Sequence, residues 1–334
     1  MRYRKLGWAD LEVSEVGIGA LHFGVYCDQK QTNAIVHMAL DRGVNFIDTA
    51  PMYGRGESEA FLRRSIEGRR DKVILATIVG LRPDIGEDGY FRCAKAPLVE
   101  EEIRKSLEAS LRNLGTDCID ILQLHSFDHN TPIDETLAVL DSLIKEGKIR
   151  YAGCSNLDEA ELDAAAASWN RHGFERFASF QAHYNLIERR SEIGLVPRCE
   201  ENDIGIIVNR ALARGILSGK YRAGEVPPAG SRGQLSRRVG NLLTEPVLRM
   251  VEDVRKTSEA FGRTPSAMSI AWLLSNPRVR CILVGARAPS QLEANLEAVE
   301  REITVEEIDA LDRAIGATTI RDNVMAMPET FLEQ

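Results

Sequence analysis

What most constrains this chain is a rhythm. Eight short, mostly apolar runs, at 16–21, 45–49, 73–78, 119–125, 151–155, 177–184, 206–210 and 281–285, are separated by longer stretches with apolar residues every three or four positions. Runs of that length suit strands covered on both faces, and parallel strands need crossovers of a dozen or more residues, usually helices. The stretch 99–114 has this character, with Val99, Ile103, Leu107, Leu111 and Leu114 on one helical face. The stretch 133–145 behaves alike, and Gly147 beyond it is a candidate C-cap. Eight strand–helix units predict an α/β fold, a (β/α)8 TIM barrel, in a single domain spanning 1–334.

The two ends and one internal segment break the rhythm. Residues 1–13, with Gly7 between two short stretches, predict an N-terminal hairpin plugging the barrel bottom. Thr304-Val305-Glu306-Glu307 is a capping box for a C-terminal extra helix through Ile308, Leu311 and Ile315. The segment 223–243, rich in Gly, Pro, Ser and Arg after the seventh strand, reads as a lid or substrate wall.

A net charge of -8 argues against nucleic acid and anionic membranes as partners, and basic pairs such as Arg63-Arg64 and Arg237-Arg238 read as solvated faces. Six scattered cysteines with no C-x-x-C fit free thiols in a reducing compartment and give no metal-ligand spacing. No apolar segment follows Met1-Arg2-Tyr3-Arg4-Lys5, and no run is long enough to span a bilayer, so a cytoplasmic location is expected.

Barrel enzymes carry their chemistry at the C-terminal ends of strands. Asp48, Ile78, His125, Ser155, Asn156 and Gln181 all fall there. Taken singly, Asp48 could be a turn residue, Tyr53 a packing residue and His125 a satisfied core histidine. Together, Asp48-Thr49-Ala50-Pro51-Met52-Tyr53-Gly54 and Asp120-Ile121-Leu122-Gln123-Leu124-His125 form a D-T-A-x-x-Y-G and D-I-L-Q-L-H pattern that resembles the aldo-keto reductase superfamily. Gly17-Ile18-Gly19 lacks the third glycine of a dinucleotide fingerprint and reads as small residues on the first strand.

The resemblance implies an NADP(H)-dependent oxidoreductase that interconverts a small-molecule aldehyde or ketone and an alcohol. In that family a tyrosine protonates the carbonyl oxygen, here Tyr53, a histidine orients it, here His125, and an aspartate supports both, here Asp48. Ser155, Asn156 and Gln181 match the residues that hold the nicotinamide carboxamide. Leu212, Gly215 and Lys220 lie in the phosphate-wrapping loop after strand seven. Gly285, Arg287, Gln291 and Asn295 match the adenosine segment, with Arg287 at the 2′-phosphate favouring NADP over NAD. His22, Phe23, Tyr26, Met52, Phe127 and His129 follow strand ends and are candidates for lining the pocket.

Three positions depart from the family pattern. Ile78 occupies the place of the family lysine, Asn209 followed by Arg210 replaces the aromatic residue under the nicotinamide, and Ala294 replaces a carboxylate at the adenine. Without an ammonium at position 78, a buried Asp48 should have a raised pKa, and the phenol loses a neighbouring positive charge. Two alternatives to the reductase therefore stay open: a nucleotide-binding lyase (dehydratase or isomerase), and a non-catalytic NADPH-binding sensor.

Overall fold

The computed structural model describes residues 1–85 and 91–316. Hairpin β1 (Tyr3–Lys5) and β2 (Glu12–Ser14) opens the chain. Eight parallel strands then close a barrel: β3 (Val16–Gly19), β4 (Phe46–Asp48), β5 (Ile74–Val79), β8 (Ile119–Leu124), β9 (Ile149–Ser155), β10 (Ser179–His183), β11 (Gly205–Asn209) and β12 (Val279–Val284). β12 pairs back onto β3 through Ile282↔Val16, which leaves the barrel without an open edge. Each of the eight anticipated strands forms within about two residues of its expected bounds, the usual uncertainty of element ends.

Helices α1 (Gln29–Asp41), α2 (Glu57–Ser65), α3 (Glu100–Leu114), α4 (Ile133–Lys145), α5 (Glu159–His172), α6 (Leu195–Glu201), α9 (Glu245–Ala260), α10 (Pro265–Ser275) and α11 (Pro289–Leu296) surround the barrel. Local chemistry sets their ends. Asp28 and Asp158 form capping boxes at α1 and α5, and α3 stops at Gly115, whose φ of 64° is the left-handed cap that glycine tolerates. The C-terminal helix α12 (Val305–Ile315) begins at the Thr304 capping box.

The N-terminal hairpin seals the bottom of the barrel. Leu6, Ala9, Leu11 and Val13 pack in one buried cluster with Phe46, Ala76, Ile121, Ala178, Ile207 and Cys281 from the strands. Burying Leu6, Leu11 and Val13 contributes roughly 1.5–3 kcal/mol each. Gly17 is small for a packing reason, since a Cβ there would come within 2.9 Å of both Cys281 Sγ and Phe46 Cδ1.

Two features differ from the sequence reading. An antiparallel pair, β6 (Leu81–Ile85) and β7 (Phe91–Lys95), is inserted after β5. The segment read as a loop contains two short helices, α7 (Arg232–Leu235) and α8 (Arg237–Leu242). Among the described residues no helix is long and apolar enough to cross a membrane.

Candidate active site at the barrel mouth

Asp48 is the last residue of β4 and is only 2% exposed. Its Oδ2 accepts hydrogen bonds from Gln123 Nε2 at 2.7 Å and Gln181 Nε2 at 3.1 Å. Ile78 lies on β5 in register with Gln123 and is itself buried, so the position brings no charge to the carboxyl. Burial pushes the Asp48 carboxyl up, and the two amide donors pull it only partly back, to about 7. At neutral pH the group is therefore poised between acid and carboxylate.

Tyr53 follows β4 in a helical turn, Tyr53–Gly56. Gly54, Arg55 and Gly56 then take φ values of 58°, 57° and 91°, a left-handed run that returns the chain into α2. A Cβ on Gly54 would sit 3.0 Å from the Phe23 carbonyl, which explains the glycine after the tyrosine. Ser58 Oγ donates to the Ala20 carbonyl at 3.0 Å and also meets Thr49 Oγ1, tying this loop to β3 and β4. Burial, then the Asp48 charge, raise the Tyr53 phenol; Arg210 and Arg232 lower it, and Cys93 adds a small upward push.

His125 directly follows β8. Its backbone N–H donates to the Val79 carbonyl at 2.9 Å, and its own carbonyl accepts from Asn156 Nδ2 at 2.7 Å. Burial, followed by the charges of Lys95 and Arg210, holds its pKa down to about 4, so the ring is neutral at physiological pH. Among the described residues its Nδ1 is buried without a hydrogen-bond partner. Ser155 Oγ donates to the Gln181 carbonyl at 2.9 Å, and Asn209 Nδ2 donates to Gln181 Oε1 at 2.8 Å. Asn209, Gln181, Asp48 and Gln123 thus form one continuous hydrogen-bonded chain across the mouth.

A second cluster lies on the β11–β12 side. Ala213, Arg214 and Gly215 have successive positive φ values of 46°, 61° and 90°, with the Ala213 and Gly215 N–H groups donating to the Arg210 and Leu212 carbonyls at 2.7 and 2.8 Å. A Cβ on Gly215 would lie 3.0 Å from Lys220 Nζ, so the glycine leaves room for that ammonium; Leu212 caps the turn. The Arg287 guanidinium stacks 3.8 Å from the Tyr26 ring, and its Nη1 donates to the Gly230 carbonyl at 3.2 Å. Among the described residues its Nη2 is buried without a hydrogen-bond partner. Beside it, His22 is held down to about 3 by burial and then by Arg232, Arg287 and Lys220. A buried guanidinium nitrogen and the cations Arg232, Arg287 and Lys220 acting on one neutral histidine fit a phosphate-bearing ligand.

Other expected positions fall less openly. Gln291 Oε1 accepts from the Arg287 backbone N–H at 2.9 Å, and Asn295 is buried on the inner face of α11, 5% exposed. Gly285 is small because a Cβ there would meet His22 Nε2 at 3.1 Å. Of the proposed pocket lining, His22 and Tyr26 join the cation cluster, whereas Phe23 and Met52 are buried in packing. His129 turns outward to Glu161 Oε1, 3.1 Å away.

Sequence reasoning passed over Gln123, Lys95 and Arg232. Gln123 carried a signal, because the two-residue period of β8 puts it on the inner face with Ile121, a polar residue where apolar ones are the rule. Arg232 and Lys95 stand on the short helix α7 and on the inserted hairpin, and only the fold brings them to the mouth.

The chain and its architecture match one known family. Residues 15–315 fit the model described as the Aldo/keto reductase family. A Bacillus subtilis protein described as the uncharacterized oxidoreductase YqkF is 32% identical, covering 93% of this chain and 95% of its own length. The structure of the glycerol dehydrogenase AKR11B4 from Gluconobacter oxydans superposes with a TM-score of 0.82 at 28% identity, covering 99% of this chain and 98% of that one. The holo form of the aldo-keto reductase AKR11C1 from Bacillus halodurans gives 0.76 at 29% identity, covering 94% and 96%. The chain belongs to the aldo/keto reductase family, whose members are oxidoreductases that act on small molecules and generally use nicotinamide cofactors.

Proposed function

We propose that this protein interconverts a small-molecule aldehyde or ketone and the corresponding alcohol with NADP(H). One observation carries the reading: a phenol, a neutral imidazole and a buried carboxyl share the barrel mouth with a cation cluster suited to phosphates. Ser155, Asn156 and Gln181 would hold the carboxamide, with Asn209 and Arg210 beside the nicotinamide. Leu212, Gly215, Lys220 and Arg232 would hold the pyrophosphate, Arg287 the 2′-phosphate, and Gly285, Gln291 and Asn295 the adenosine end. The bound nicotinamide would supply or accept the hydride.

The chain's own groups divide the remaining work. In reduction the Tyr53 O–H donates its proton to the carbonyl oxygen. A neutral His125 donates one hydrogen bond to that oxygen and fixes its direction, which a ring held down to about 4 does without ionising. Asp48, through Gln123 and Gln181, ties the reacting side of the mouth to the carboxamide side. A phenol raised by burial is a weak acid, so turnover with generic substrates should be low.

The experiment is to follow nicotinamide absorbance with NADPH and a panel of aldehydes and ketones, in the parent and in Tyr53→Phe. Consumption of NADPH in the parent, cut by a factor on the order of a hundred in the variant, is the expected result. Product formed without an absorbance change would instead point to a dehydratase or isomerase, and nucleotide binding without turnover to a sensor.

A further inference from the structure

We propose that His22 and Ser231 complete the donor set with which Arg287 reads the 2′-phosphate of the nucleotide, His22 donating from the Nδ1–H of a neutral ring and Ser231 from its hydroxyl. The inference rests on the NADP(H) reading and deepens it, because it names the residues that tell a 2′-phosphate from the bare 2′-hydroxyl of NADH.

The three side chains come from separate parts of the chain. His22 follows β3, Ser231 precedes α7 and Arg287 follows β12. His22 is only 9% exposed, and its ring meets the Tyr26 ring at 69°, with the centroids 5.6 Å apart. The Arg287 guanidinium lies 3.8 Å from the centre of that same Tyr26 ring. Gly285, two residues before Arg287, closes on the far nitrogen of the imidazole, since a Cβ there would stand 3.1 Å from His22 Nε2. Ser231 is tied to the group through its neighbour, the Gly230 carbonyl, which accepts from Arg287 Nη1 at 3.2 Å.

Each of the three carries a buried polar atom that has no hydrogen-bond partner among the described residues: His22 Nδ1, Ser231 Oγ and Arg287 Nη2. Buried polar groups are nearly always paired, so orphans from three neighbouring side chains mark a place where an acceptor belongs. Ser231 shows this most clearly. It is the N-cap of α7, where a serine oxygen ordinarily accepts from the first turn, yet it makes no such bond. Ser236, the N-cap of α8, does accept from the Val239 N–H. The Ser231 hydroxyl is not spent on its own helix and is left to donate elsewhere. Arg287 makes the missing acceptor an anion, and a phosphate offers three strong acceptor oxygens, one for each donor. His22 serves as a neutral donor: burial first, then Arg232, Arg287 and Lys220, hold its pKa down to about 3. A neutral imidazole has a single N–H, and the Nδ1–H tautomer places it on the orphaned atom.

The test is isothermal titration of the full chain with NADPH, NADH, adenosine 2′-monophosphate and adenosine 5′-monophosphate. His22→Leu should raise the NADPH Kd about tenfold and move the NADH Kd by less than about twofold, as expected for one lost hydrogen bond to a charged group. His22→Asn should recover most of the loss, because its amide nitrogen stands about where Nδ1 does. Ser231→Ala should cost about threefold, again for NADPH alone. Adenosine 2′-monophosphate should follow NADPH in every variant. In the parent, with nitrogen-15-labelled histidine, the His22 Nδ1 resonance should move on adding adenosine 2′-monophosphate and stay in place with the 5′ isomer, a readout that needs no variant to fold. Equal losses for NADPH and NADH would make these residues pyrophosphate ligands and overturn the proposal. An unmoved Nδ1 resonance in a parent that prefers NADPH overturns it too, with the NADP(H) reading intact. A parent that binds both nucleotides alike and ignores adenosine 2′-monophosphate overturns the donor set and the choice of NADP(H) together.

Discussion

At the scale of single residues, the site is governed by what stands next to Asp48. Neutral amides are its hydrogen-bond partners, so its proton is held more tightly than in an open chain. The sign of the consequence follows. The folded pKa of about 7 lies above the ordinary value near 3.9, so the contribution of Asp48 to stability is greatest below about pH 4 and is lost as pH rises through about 7. Asp48→Asn removes this dependence and offers an N–H to Gln123 Oε1, which among the described residues is buried without a partner. Chemical denaturation should find the variant more stable than the parent above pH 7 by on the order of 2–4 kcal/mol, with the gap closing toward pH 4. The neutral histidines His22 and His125 act in the opposite direction at low pH, but equally in both proteins, so they cancel in the difference. A gap that stays constant with pH would show that Asp48 titrates normally. Ile78→Lys adds the ammonium from the other side. It should raise aldehyde reduction at least about tenfold, which needs only about 1.4 kcal/mol of transition-state stabilisation. No gain in a folded, nucleotide-binding variant would mean that the mouth has adapted to more than one missing charge.

At the scale of elements, legibility in the sequence followed burial. The eight barrel strands announced themselves because both of their faces are covered, leaving apolar runs with sharp ends. The candidate acid, imidazole and carboxamide positions were legible for the same reason, since they sit where those runs stop. The pair β6–β7 has polar and apolar residues mixed without alternation, including Pro83 in β6, and gave no strand signal. The C-terminal helix was half visible. Its capping box was plain, but Glu307 also accepts from Arg263 Nε and Arg301 Nη2, each at 2.8 Å, in a buried ion pair that no local motif encodes. The segment 223–243 was the largest gap, because its helices are only four and six residues long and are fixed by contacts from outside the segment. One such contact is the Gly233 N–H donating to Tyr221 Oη at 2.9 Å, where a Cβ on Gly233 would lie 2.5 Å from the ring. Gly233→Val should therefore lift α7, carrying Arg232 away from the mouth. Fluorescence titration should show NADPH affinity down by about tenfold with the melting temperature within a few degrees of the parent, since α7 lies outside the barrel strands. Unchanged affinity would remove Arg232 from the nucleotide site.

At the scale of the whole molecule, two electrostatic fields compete. The chain carries a net charge of -8, which repels an anionic nucleotide at long range. Its barrel mouth brings the charges of Lys220, Arg232 and Arg287 to bear on His22, which attracts the same nucleotide at short range. Salt decides between them, because screening weakens whichever field dominates. If the global charge governed encounter, raising ionic strength would strengthen NADPH binding. At contact distance the local cations should prevail over the screened global charge, and the NADPH Kd should rise by about tenfold between roughly 0.01 and 0.5 M salt. NADH lacks the 2′-phosphate and should show a shallower dependence. Arg287→Ala should bring the NADPH curve toward the NADH one, shrinking the preference between the two nucleotides at low salt more than at high salt. Isothermal titration of both nucleotides across that salt range, in the parent and in Arg287→Ala, measures all of these slopes together. Parallel curves for the two nucleotides in the parent would mean that Arg287, stacked on Tyr26 and bonded to Gly230, stays there and does not meet a 2′-phosphate.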